Sequence, residues 1–74
     1  MDESSYTVIV KADPLGGYWT QVPALPGCGS QGDTMEGTLE NTKEAIRSYL
    51  GSKRKHGEPV PEDDCVVVKV AVAS

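Results

Sequence analysis

The stretch Val22–Thr34, VPALPGCGSQGDT, constrains the fold of this chain more than any other. It holds two prolines and three glycines. Proline lacks an amide hydrogen and has a ring-locked φ, so neither Pro23 nor Pro26 belongs inside a helix or a central strand. The element before them must end here, and Gly27 lets the chain turn tightly. Asp33-Thr34-Met35-Glu36 follows, an oxygen acceptor three residues ahead of a glutamate. This variant of the capping box marks a helix start with Asp33 as the N-cap. The stretch is therefore a corner between a strand and a helix, with Cys28 packed inside it.

The flanking residues supply those elements. Tyr6–Ala12, YTVIVKA, is rich in β-branched and aromatic residues and predicts a strand. Tyr6, Val8 and Val10 share one face, and Thr7, Ile9 and Lys11 share the other. Asp13–Gly17, DPLGG, is a hairpin loop in which Gly16 and Gly17 permit positive φ. Tyr18–Val22 returns as a second strand, and CGSQ pairs as a brief third. The helix runs from Asp33 to about Ser52. Met35, Leu39, Thr42, Ile46, Tyr49 and Leu50 lie on one side, and Glu36, Glu40, Asn41, Lys43, Glu44 and Arg47 on the wet side. Lys53–Asp64 is a loop, and CVVVKVAVA, Cys65–Ala73, predicts the last strand. Val66, Val68, Val70 and Val72 form its apolar face, and Val67, Lys69 and Ala71 the other.

The expected architecture is α+β in the order β-β-β-α-β. Three strands form an antiparallel meander, one helix covers one face, and the last strand lies parallel to the first through a right-handed crossover. The uncovered face is expected to carry some of Ile9, Trp19 and Val67, too apolar for a surface that meets only water. Tyr18 and Trp19 alternate, so one points away from the helix, and both join the interface candidates. A second copy of the chain or another protein is expected to cover this face.

Composition narrows the function. The 74 residues make one domain, residues 1–74, with net charge −4. That balance argues against nucleic-acid binding by this chain alone and suits a basic protein partner. The basic run Lys53–His56 lacks interleaved aromatics and reads as cations complementing a helix C-terminus. The N-terminal residues lack the apolar core of a signal peptide, and no apolar run is long enough to span a membrane. The expected setting is the cytosol, with Cys28 and Cys65 as thiols. One histidine and two distant cysteines match no zinc spacing, and no cofactor is implied.

Several motifs occur together in order: Gly16-Gly17-Tyr18, Val22-Pro23-Ala24-Leu25-Pro26-Gly27-Cys28, Gly32-Asp33-Thr34, Lys43-Glu44-Ala45-Ile46 and Gly57-Glu58-Pro59-Val60-Pro61. This ordered set resembles the HicB-like antitoxin family over about Tyr6 to Pro61. Gly29 departs from it where an apolar residue is common, as do Gly37 and Thr38 where better helix formers stand. The resemblance implies a partial RNase H-like fold and neutralisation of a small basic HicA-type mRNA-cleaving toxin by direct binding. The DNA-binding domain that many relatives carry after this core is not expected within these residues. An RNase H-like fold also raises a divalent-metal nuclease, drawing on Glu36, Glu40, Asp63 or Asp64. That chemistry needs converging carboxylates, and the first strand offers only Val8, Ile9 and Val10 at its middle. No catalytic residue is assigned, and a non-enzymatic binding module is the primary reading. A self-associating homo-oligomer without a toxin is the remaining alternative.

Overall fold

The computed structural model describes residues 4–73. Its sheet contains β1 (Ile9–Ala12), β2 (Tyr18–Gln21) and β3 (Gln31–Gly32) in that spatial order, followed by α1 (Met35–Lys55). Both pairings are antiparallel, with Val10 opposite Thr20, Lys11 opposite Trp19, and Trp19 opposite Gln31. The α+β class and the three-stranded meander are as expected from the sequence.

Each connection has a local cause. At the hairpin, Asp13 Oδ1 accepts from Leu15 N–H at 2.9 Å and Asp13 C=O from Gly16 N–H at 3.0 Å. Gly16 and Gly17 then take positive φ, as the turn requires. At the corner, Leu25 N–H donates to Val22 C=O and Cys28 N–H to Leu25 C=O, making two successive turns. Pro23 and Pro26 each occupy the second position of a turn, where a fixed φ near −65° fits. Gly27, at φ 80°, takes the third position of the second turn, as a type II turn demands. The corner closes with Val22 N–H on Cys28 C=O at 3.0 Å.

The helix begins one residue later than the sequence suggests. Thr34, not Asp33, is the N-cap: it is extended, and its Oγ1 accepts from Gly37 N–H at 3.0 Å. The register follows from burial. Thr38, fully buried, donates its hydroxyl to Thr34 C=O at 2.6 Å and lies close against Gly32, where a Cβ would come within 2.9 Å of Thr38 N. Asp33 is left exposed just outside the helix. The other end lies beyond Ser52, because the left-handed residue is Gly57 (φ 67°) rather than Gly51. Gly57 N–H bonds Arg54 C=O and Glu58 N–H bonds Lys53 C=O, a Schellman ending. Lys53, Arg54 and Lys55 thus fall in the last turn, where cations suit the dipole.

The core lies between sheet and helix. Val22, Leu25, Cys28 and Leu50 are buried at its centre, with Tyr6, Val8, Ala45, Ile46, Tyr49 and Val60 packed around them. Helix α1 crosses β2 and β3 and, among the described residues, makes no close approach to β1. After the helix the chain returns to the start of the sheet. Asp63 Oδ2 accepts from both Thr7 N–H (3.0 Å) and Thr7 Oγ1 (2.8 Å), and Tyr6 hydroxyl donates to Pro61 C=O.

The expected fourth strand is not part of this sheet. Cys65–Ala73 forms no ladder with β1, and Val66, Val67, Val68, Val70 and Val72 are all exposed. Alternating valines favour an extended, half-buried surface but do not choose the strand that completes it. The segment instead stands off the body as an arm.

Candidate functional site

The sheet presents two faces of different character. Val10 and Thr20 pair on the helix side, where the Thr20 hydroxyl meets Thr42 of α1. The neighbouring pairs must then point to the other side, as successive side chains alternate. Ile9 and Gln21 form one such pair, and Lys11, Trp19 and Gln31 form a row across all three strands. Trp19 is 37 % exposed there, with the Lys11 ammonium 4.9 Å from its ring centroid. A cation above an indole face is attracted by the ring quadrupole. Ile9 is half-buried beside this row.

The four residues expected at an interface therefore separate. Ile9 and Trp19 lie together on the uncovered face. Tyr18 is on the helix side, near the hairpin, beside Gly32, Asp33 and Asn41. Val67 rides on the arm, away from the sheet.

Gly17 of the hairpin and Cys28 of the corner are packed into the body of the fold. Gly17 packs so tightly that a Cβ would come within 2.7 Å of Gly32 C=O. Cys28 is buried, and burial pushes its thiol up from the ordinary value. A thiol held protonated is a poor nucleophile. The histidine is placed elsewhere, with His56 Nδ1 2.8 Å from Ser52 C=O at the helix C-terminus. Cys65, more open, is also pushed up, first by partial desolvation and then by the Asp63 and Asp64 carboxylates. Both cysteines are free. Glu40 and Glu44 pair along the helix surface with Lys43 (3.3 Å) and Arg47 (2.7 Å). Among the described residues, no three Asp, Glu, His or Cys side chains gather closely enough to hold a metal ion.

A buried hydroxyl relay escaped the sequence reading. Ser30 N–H donates to Thr20 Oγ1 (3.0 Å), which lies 2.7 Å from Thr42 Oγ1, and Thr42 Oγ1 donates to Thr38 C=O (2.7 Å). A hydroxyl has one hydrogen, and that of Thr42 is committed to Thr38. The Thr20 hydroxyl has a second acceptor, Ser30 C=O, but at the longer 3.3 Å, so the set of shortest bonds has Thr20 donating to Thr42. The relay fixes how far α1 sits along β2 and so orients the opposite face of that strand, where Trp19 lies. The visible signal was the four-residue spacing of Thr34, Thr38 and Thr42, a stripe on one helical side. Helix propensity by itself marks Thr38 only as a poor helix former.

Residues 6–72 match the model of the HicB-like antitoxins of bacterial toxin-antitoxin systems. A UPF0150 protein of Thermoplasma acidophilum is 49% identical over 65 residues, covering 88% of this chain and 94% of the relative. One from Synechocystis is 40% identical over 68 residues, covering 92% and 86% respectively. A Helicobacter pylori UPF0150 protein is 57% identical over a shorter span of 35 residues, 47% of this chain and 49% of that one. The family match extends past the corner and the helix into the valine arm, so the arm is part of the family pattern rather than an appendage to it. The chain belongs to the HicB-like antitoxin family of bacterial toxin-antitoxin systems.

Proposed function

We propose that this protein neutralises a small, basic, HicA-type mRNA-cleaving toxin in the cytosol by binding it directly through the uncovered sheet face. One observation carries the proposal. In a member of an antitoxin family, the single tryptophan stands partly exposed on a rigid three-stranded platform beside Ile9. Tryptophan is the residue most enriched among interface anchors, because a large rigid ring buries much apolar surface at little entropic cost. Net charge −4 speeds encounter with a basic partner, and Lys11 and the Gln21 and Gln31 amides supply a polar rim. No chemistry by the antitoxin is required, since occlusion of the toxin suffices.

Co-expression with a HicA-type toxin tests this. The wild-type chain restores growth, and the purified pair forms a stable complex. Trp19→Ala, with its helical circular dichroism intact, weakens that complex at least tenfold and loses the rescue. Full rescue and unchanged affinity in a folded Trp19→Ala variant refute the assigned face. Absence of any complex with the wild type refutes the toxin-binding reading itself.

A further inference from the structure

The valine arm and the outer edge of β1 are complementary, and neither is satisfied in the monomer. Thr20 and Val22 turn their N–H groups toward Ser30 and Cys28, on the β3 side of β2. By antiparallel alternation, Trp19 and Gln21 bond β1, and Val10, opposite Thr20, directs its own N–H and C=O away from β2. The outer edge of β1 thus offers Val10 and Ala12 to another strand. Beside that edge, on the helix side, lies a groove of about 730 Å³. Its apolar walls are Tyr6 and Val8 from one side and Leu39, Ile46 and Leu50 of α1 from the other. It exists because α1 lies over β2 and β3 and leaves β1 uncovered.

The arm has the shape and pattern this groove requires. Four valines, Val66, Val68, Val70 and Val72, recur at the period of one strand face, and all are exposed. The arm does not fold back onto its own sheet. The radius of gyration is 14.2 Å with a longest dimension of 46 Å, whereas a compact chain of this length has a radius near about 11 Å. The Thr7–Asp63 clamp fixes the arm's root beside the N-terminal end of β1 and sends the valines outward.

We propose that this chain forms a two-fold dimer by strand exchange: each arm, Cys65–Ala73, adds to the outer edge of β1 in a second copy and lays its four valines in that copy's groove. A second copy fits because one molecule contributes both the free strand and the free edge, so a two-fold axis satisfies both pairs at once. The added strand's other face, Val67, Lys69 and Ala71, then extends the uncovered face that carries Ile9 and Trp19. The dimer stands independently of toxin binding.

Light scattering on the full chain at micromolar concentration is expected to give twice the monomer mass. Val68→Pro fixes φ near −65° in the middle of the arm, out of line with an extended strand, and halves the mass with helical circular dichroism retained. Val10→Pro removes the outward N–H of β1 without touching the β1–β2 ladder, and it also yields a folded monomer. A monomeric wild type overturns the proposal. A dimer that survives Val10→Pro but not Val68→Pro overturns it as well, because the arms would then pair only with each other. A dimer surviving both folded variants places the contact elsewhere and likewise rejects strand exchange.

Discussion

Valine at Thr20 or at Thr42 removes one hydroxyl from the buried relay while keeping the side-chain shape, and the two changes have unequal costs. In Thr42→Val, Thr20 loses its acceptor 2.7 Å away but can turn its hydrogen to Ser30 C=O at 3.3 Å. Thr38 C=O loses only a second bond, its helical partner remaining. The net loss is one neutral hydrogen bond, about 1 kcal/mol. In Thr20→Val, Ser30 N–H loses its acceptor inside the fold, and Thr42 Oγ1 loses its donor. An orphaned amide costs about 1–3 kcal/mol beyond the bond itself, which sets this variant near about 2–3 kcal/mol. The double variant is expected to cost no more than Thr20→Val alone, giving a coupling near about −1 kcal/mol. At about 4–8 °C per kcal/mol for a chain of this size, Thr20→Val lowers Tm by roughly 10–20 °C and Thr42→Val by less than half of that. Urea unfolding followed by Trp19 fluorescence and helical circular dichroism measures all three. Equal costs for the single variants, or strict additivity in the double, would refute the donor assignment.

Leu25→Ala empties the most enclosed apolar position, which has no exposed surface, and is expected to cost about 2–5 kcal/mol with the urea m-value unchanged. Thr34→Ala removes the N-cap acceptor and costs about 1 kcal/mol, whereas Asp33→Ala loses only a surface carboxylate near the helix dipole, about 0.3 kcal/mol; thermal melts that rank them the other way would restore Asp33 as the cap. Iodoacetamide alkylates Cys65 in the native protein and reaches Cys28 only on unfolding, as peptide mass mapping would show. Burial raises the folded-state pKa of Cys28 above its ordinary 9.0, so its contribution to stability is complete below that pH and is lost as pH rises through the folded value.

Local signals in the sequence suffice where local physics decides. Pro23, Pro26 and Gly27 state their turns almost alone, because fixed and positive φ leave few alternatives. The alternation in Tyr6–Ala12 separates Ile9 from Val8 and Val10, and that in Tyr18–Val22 separates Tyr18 from Trp19 without saying which of the two faces the helix. The N-cap was off by one because Asp33 and Thr34 are both good caps, and Gly32 against Thr38 chose between them. That contact is tertiary. Tyr18 went to the helix side for the same reason, as the buried Thr20–Thr42 contact sets the parity of the whole strand. The last strand failed differently. Valine alternation predicts an extended chain with one dry face, and nothing in it says whose groove provides the dryness.

That ambiguity has an energetic resolution. A chain of 74 residues is expected to have about 4–11 kcal/mol of stability, from about 0.05–0.15 kcal/mol per residue. The monomer's buried apolar centre is small, Val22, Leu25, Cys28 and Leu50, and a polar relay runs through the same interior. Meanwhile Val66, Val68, Val70 and Val72 are 69–83 % exposed. Burying a valine contributes at least about 1.5 kcal/mol, so the four together represent at least about 6 kcal/mol before the entropy of fixing the arm. That gross gain is comparable to the whole stability of the fold, and the ordering of nine arm residues consumes part of it. An exchanged strand recovers the gain twice per dimer, which offsets the association entropy once. Folding and pairing then become one equilibrium, and the midpoint of thermal unfolding rises with protein concentration. The relay also explains how so small a domain keeps one arrangement while waiting for its last strand. Hydroxyls that must meet their partners hold α1 in a single register on β2, so the groove beside β1 is already shaped when a second copy's valines arrive.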